Sequence, residues 1–184
     1  MSKIAIDNFI PTSNSSLLLD TNILIHLFYP TMSNSFMISY EKLYEKILKK
    51  KSILLLPAIQ VSEFINRCIR FQYETYKNLH PVNVSFDFKK DYRNTNDYRN
   101  SMKTILNIVQ NDILPSFTVI NDNFNSIDPN KIYIYGFSYD FNDALLVQIA
   151  EQVKASIVTH DSDFANYHLS TDIITANQKL LMFS

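Results

Sequence analysis

The sequence predicts an α/β domain built on a mainly parallel sheet, and three observations predict it. Short apolar runs of strand length, at 17–19, 52–56, 118–120, 156–159 and 172–175, alternate with longer segments of helical period. The stretches joining successive runs are long enough for right-handed crossovers. Neither a repeat of 20–50 residues nor a linker divides the 184 residues, so one domain over 1–184, with its core at 17–175, is expected.

The elements follow in order. Residues 1–16 are polar, with PTSNSS just before the first apolar run, and read as a loose lead-in. The strand 17–19 ends at Asp20, and a helix from Ile23 to Phe28 is ended or interrupted by Pro30. A polar stretch, 31–36, leads to a helix near 37–51, where Tyr40, Leu43, Tyr44, Ile47 and Leu48 recur at helical spacing. Pro57 stops the strand 52–56 and suits the start of the helix that carries Glu63 past Arg70. The stretch 80–100 is polar, aromatic and basic. A helix over 102–114 ends before Pro115, a strand follows at 118–120, and 121–131 is an Asn/Asp-rich loop. A helix over 141–153 has an apolar buried side, and the strands 156–159 and 172–175 close the chain.

Composition removes whole classes of function. Gly136 is the only glycine, which excludes P-loops and dinucleotide fingerprints, since each needs several glycines for close backbone approach to phosphate. Cys68 is the only cysteine, so disulfide scaffolds, zinc knuckles and redox pairs are excluded and a reducing, cytoplasmic location is expected. The run 53–59 is too short to span a bilayer and residues 1–16 lack the pattern of a secretory signal, so no membrane partner is expected. A net charge of −1 gives no global field for polyanions, so nucleic-acid binding would need a local patch or a metal ion.

The acids fall where such a sheet gathers its site. Asp20 follows the first strand, and Asp161 follows 156–159 with Asp163 two residues on. Asp143 sits in the first turn of the helix after Tyr139. Glu63 lies about two turns into the helix after 52–56. In a parallel α/β sheet these positions meet at the carboxyl ends of the strands. Gathered carboxylates repel and resist burial, and a divalent cation resolves the conflict. Hard oxygen donors without histidine or thiol in step favour Mg²⁺ or Mn²⁺ over Zn²⁺. Each acid also has a plainer use. Asp20 and Asp140 could be N-caps, Asp143 could favour a helix dipole, Glu63 could be a solvated helix residue, and the stretch from Asp161 to Asp163 could be a capped turn.

The segments LLLDTNILIHLF (17–28), ILLLPAIQVSEFINR (53–67) and YDFNDALLVQIAEQVKASIVTHDSDF (139–164), in that order, resemble the PIN domain, most closely the VapC-type toxin ribonucleases. The resemblance implies a three-layer α/β/α domain with a five-stranded, mainly parallel sheet, and metal-dependent cleavage of RNA phosphodiesters. Carried over by position, Asp20, Glu63, Asp143 and Asp161 match the acidic metal-binding quartet, and Asp163 matches a further acid beside it. Thr21, Asn22 and Thr159 match polar residues around the site, of which Asn22 and Thr159 would hold the ligand carboxylates. The chemistry implied is in-line attack by water that expels the 3′ oxygen and leaves 5′-phosphate and 3′-hydroxyl ends. A cognate antitoxin and a homodimer are also implied. Glu63 and Asp143 stand 80 residues apart, more than the small toxins lead one to expect, so the substrate and partner surfaces within 71–135 are expected to differ.

With the five site acids set aside, the net charge moves from −1 to about +4, a mildly basic remainder. Lys89, Lys90, Arg93, Arg99 and Lys103 are interleaved with Phe86, Phe88, Tyr92 and Tyr98, a pattern that suits single-stranded RNA. The alternative is a solvated face whose rings pack on the core, which is also the reading of Lys46, Lys49, Lys50 and Lys51. His26, His80, His160 and His168 read as surface or packing residues, His160 being the one to test beside Asp161. Three other functions compete. An aspartyl phosphatase would want an acid where Asn22 stands. A non-cleaving RNA-binding or assembly module should have lost an acid. A structure-specific DNA nuclease would want a large basic arch.

Overall fold

The computed structural model describes residues 2–29, 37–80, 85–136, 140–166 and 170–182. Pro30, the polar stretch 31–36, Tyr139 and His168 lie outside them. Among the described residues six strands form one sheet: β1 (Lys3–Ala5), β2 (Ser16–Leu19), β3 (Ile53–Pro57), β4 (Thr118–Ile120), β5 (Ser156–Val158) and β6 (Ile173–Thr175). Their order is β1-β6-β5-β2-β3-β4 and every pairing is parallel.

The strands are apolar at consecutive positions because both faces are covered, and alternate residues divide between the two sides. Leu17, Leu19, Leu54, Leu56, Val158 and Ile174 face one core. It is filled from α1 (Thr21–Phe28), α2 (Ile38–Lys50), α3 (Ala58–Leu79) and α4 (Asn96–Ile108). Leu18, Leu55, Ile157 and Ile173 face the other, filled from α5 (Pro129–Gly136), α6 (Phe141–Val153) and α7 (Gln178–Met182). That makes the three-layer α/β/α sandwich.

The sheet has six strands where the sequence predicts five. The extra one, β1, comes from the supposed lead-in and pairs with β6, Lys3 opposite Ile173 and Ala5 opposite Thr175. Three half-buried residues with one strand neighbour are too short to show a period of two. Helix α4 starts ahead of the predicted Met102, because Thr95 caps it: the Tyr98 N–H donates to the Thr95 Oγ1 at 3.1 Å. Beyond it the chain makes a π turn (Val109–Ile113) and a 3₁₀ turn (Leu114–Ser116) that accommodates Pro115. Part of the predicted loop 121–131 opens α5, and α7 is a further short helix.

With a single glycine in the chain, α2 and α6 end on lysine instead. Lys51 and Lys154 adopt φ of 54°, the left-handed conformation that lets Ser52 and Ala155 N–H groups close back on Ile47 and Ala150 carbonyls. Each lysine therefore delivers the chain at once into β3 or β5.

From β2 the chain runs outward to β3 and β4, then returns to the other side of β2 as β5 and β6. The carboxyl ends of β2 and β5 flank the point where strand order reverses, the place such sheets keep for a ligand.

Candidate active site

Asp20 leaves β2 at that point and is 3% exposed. It occupies the N-cap position of α1, yet its side chain makes no capping bond. The carboxylate instead accepts from the Thr159 hydroxyl at 2.8 Å and from the Asn22 amide at 3.3 Å. The plain capping use therefore does not describe the Asp20 side chain. It does describe Asp140, whose carboxylate accepts from the Asn142 N–H at 2.7 Å and so sets Asp143 in the first turn of α6.

Glu63, on α3, accepts from the Thr21 hydroxyl at 3.0 Å and meets Arg67 one turn on at 3.5 Å. After β5, Thr159 Oγ1 accepts from the Asp161 N–H at 2.9 Å, and Asp161 in turn accepts from the Asp163 N–H at 2.9 Å. The Asp161–Asp163 turn is thus capped, as its plainer use requires, and both acids still line the cleft. Asn22, Glu63, Arg67, Asp140, Asn142, Asp143, Asp161 and Asp163 line one open cleft of about 470 Å³. The predicted acids therefore share a single wall-to-wall space, with Asp20 buried beside it.

The electrostatics are those of carboxylates held together against their repulsion. Burial pushes Asp20 up to about 6 despite the Thr159 bond, with Glu63 and Asp161 adding to the rise. Burial also lifts Asp143 to about 8, helped by Asp20, Asp140, Glu63 and Asp161. Among the described residues, no three His, Cys, Asp or Glu side chains are gathered tightly enough to hold one ion as they stand. In kind they suit a hard divalent cation: every acid offers oxygen, and added positive charge would relieve the repulsion.

Two supports carried no sequence signal. The Tyr40 hydroxyl, buried under the site, donates to the Thr159 carbonyl at 3.0 Å and accepts from the Ala176 N–H at 2.8 Å. It also lies 3.0 Å from His160 Nδ1. Tyr40 is read from sequence only as a helix core position, because its reach across the sheet is tertiary. The Gln60 amide donates to the Leu19 carbonyl, holding the residue before Asp20, and Gln60 Oε1 is buried without a hydrogen-bond partner among the described residues. Of the other histidines, His26 meets Glu41 at 2.9 Å and His80 stacks on Tyr76, both packing roles.

The basic aromatic stretch lies elsewhere. Phe88 and Tyr92 are buried, and with Phe86 and Tyr98 they pack around Tyr73 and Tyr76 of α3. Tyr73 is ten residues beyond Glu63, a rise of about 15 Å along the helix. Lys89, Lys90, Arg93 and Arg99 are exposed around that cluster, with Arg93 lying 5.3 Å from the Phe88 ring centre.

A family model described as PIN domain matches residues 17–168. Among solved structures, that of VapBC2 from Rickettsia felis bound to a DNA fragment from its promoter is 17% identical. The likeness covers 87% of this chain and 98% of that one, with a TM-score of 0.51. The structure of FitAcB from Neisseria gonorrhoeae is also 17% identical, covering 86% and 96%, with a TM-score of 0.52. At that identity the likeness is one of fold. No curated protein matches the chain. No helix among the described residues is long and apolar enough to cross a membrane. PIN domains are in general nucleases and typically use divalent metals, which supports a nuclease-type function for a cleft of this kind. The match spans most of the chain and all of the acids of that cleft, and the chain belongs to the PIN domain family.

Proposed function

We propose that this protein is a Mg²⁺- or Mn²⁺-dependent endoribonuclease, toxin-like in kind, that hydrolyses RNA phosphodiester bonds in the acidic cleft. The observation that carries the reading is the cleft itself, where Glu63, Asp143, Asp161 and Asp163 line one space beside the buried Asp20. A structural role gives no reason to keep such charges together, whereas a cation site does.

Asp20, Glu63, Asp143 and Asp161 are the residues that would hold the ion. When bound, the ion supplies charge neutralisation at the phosphate and lowers the pKa of the attacking water. The chain does the rest. Thr159 and Asn22 fix the Asp20 carboxylate by hydrogen bonds, and Thr21 fixes Glu63. Asp163 lines the cleft beside Asp161 and would orient or deprotonate the nucleophile. Lys89, Lys90, Arg93 and Arg99 would carry outlying phosphates of a long RNA. An antitoxin partner and a homodimer belong to the same proposal, as the resemblance to VapC-type toxins implies.

The test is cleavage of end-labelled single-stranded RNA by the full chain with Mn²⁺ and with EDTA. Cutting only with Mn²⁺, leaving 5′-phosphate and 3′-hydroxyl ends, is expected. Equal RNA binding in both conditions with no cutting would leave a non-cleaving binding module in its place.

A further inference from the structure

A second cavity adjoins the acidic cleft and shares one residue with it. It measures about 230 Å³ and is lined by Ile25, Tyr29, Arg67, Cys68 and Phe71. Arg67 lines both spaces. We propose that this pocket between α1 and α3 is a nucleobase subsite of the nuclease, with Arg67 holding a phosphate next to the scissile one and Phe71 stacking on the attached base. The proposal rests on the nuclease reading above and adds a determinant of substrate choice to it.

The arrangement follows from helix spacing. Glu63, Arg67 and Phe71 are four residues apart on α3, so they form one stripe that advances about 6 Å per step. Along it the chemistry changes from carboxylate to guanidinium to aromatic ring. That is the order a strand of RNA needs if its reacting phosphate lies at the acids, its next phosphate beyond them and a base further on. Ile25 and Tyr29, also four apart, supply the opposite wall from α1 and its end. The Tyr29 ring is held by its hydroxyl, which accepts from the Gln72 amide.

The pocket's character suits a base. Cys68 is buried and burial pushes its thiol up to about 12, so it offers an uncharged surface. Phe71 is 39% exposed, an aromatic ring facing solvent where a helix surface is ordinarily polar. Arg67 is about half exposed and meets Glu63 through one amino group at 3.5 Å, a contact that leaves the rest of its fork of donors for a phosphate. It is the only cation lining the acidic cleft among the described residues. A polyanion entering among five acids needs one.

Short single-stranded RNAs carrying 2-aminopurine at successive positions, bound in Ca²⁺ in place of Mg²⁺, would test the subsite. One position is expected to be quenched on binding the parent protein. Phe71→Ala should abolish that quenching and weaken binding by about tenfold or more, the loss of one stacked base. Phe71→Tyr should restore both, whereas Phe71→Leu, apolar but flat-faced no longer, should not. Arg67→Gln should weaken binding of every sequence alike and reduce its salt dependence. The rise in melting temperature with Mn²⁺ should persist in Phe71→Ala, which separates this subsite from the metal site. If Phe71→Ala binds and cuts as the parent does, the subsite is refuted while the nuclease reading stands. The same holds if Phe71→Ala loses only a protein partner. If the parent neither binds nor cuts RNA, the nuclease reading fails and the subsite with it.

Discussion

The Thr159 hydroxyl donates to the buried Asp20 carboxylate at 2.8 Å while accepting from the Asp161 N–H at 2.9 Å. One hydroxyl thus ties the end of β2 to the turn after β5, and sets the spacing of two acids that repel. Thr159→Val keeps the shape and removes both bonds. It is expected to cost about 1–3 kcal/mol of stability, the effect of an unsatisfied buried acceptor. Metal affinity should fall about 10–100-fold, as when a group orienting a ligand is lost. Thr159→Ser should retain most of both. Denaturant melts and Mn²⁺ titration of the three proteins give the comparison.

The acids also fix how the metal-free protein responds to pH. Asp20 and Asp143 have folded values above the ordinary carboxylate value, about 6 and about 8 against 3.8. The folded state therefore binds more protons than the unfolded state between those limits, and stability falls as pH rises through them. For Asp20 alone the loss from pH 4 to above pH 6 is about 2–3 kcal/mol. Melting temperature in EDTA should accordingly decline from pH 5 to pH 8. Asp143→Asn should flatten the upper part of that decline. A melting temperature that rises over the same interval would contradict the placement of these acids.

The site was legible because its acids follow apolar runs, and a strand end is visible in sequence. Asp20 and Asp161 come from such junctions, Asp143 from the first turn of a helix whose pattern is equally plain, and β4 and α6 fall where their patterns place them. What was not legible acts across the sheet. Tyr40 looks like any core residue of an amphipathic helix, and its bonds to Thr159 and Ala176 span more than a hundred residues. Gln60 is a polar helix residue whose partner, the Leu19 carbonyl, is set by the packing of α3 on β2. For the rings of 86–98 the sequence leaves two uses open, stacking on RNA or packing on the core, and their packing on Tyr73 and Tyr76 depends on where α3 lies, which is tertiary.

Tyr40→Phe tests the hub beneath the site. It deletes the acceptor of the Ala176 N–H and the donor to the Thr159 carbonyl, both in a place without ready access to water. A stability loss of about 1–3 kcal/mol is expected. Activity at a temperature well below melting should fall as the Thr159–His160 segment loosens. The readout that distinguishes this from simple destabilisation is weaker Mn²⁺ binding in the folded mutant. Unchanged Mn²⁺ affinity would make Tyr40 a stability residue only.

Asp20→Asn and Asp143→Asn separate a metal site from chance clustering of acids. Each keeps size and removes one charge. In EDTA, each variant should melt at or above the parent temperature, because burial and the neighbouring acids oppose ionisation of both groups. With Mn²⁺ the parent should gain stability in proportion to ion concentration, since the ion binds the folded state preferentially, and the variants should lose most of that gain. RNA cleavage should fall by orders of magnitude in both. If Asp20 served α1 as a cap, Asn would serve nearly as well and nothing would change in either condition. The structure argues against that outcome already, since the Asp20 side chain bonds Thr159 and Asn22 and caps nothing. Full cleavage by Asp20→Asn would end the nuclease assignment. Loss of cleavage with the Mn²⁺ gain intact would instead leave Asp20 acting on the substrate without holding the ion.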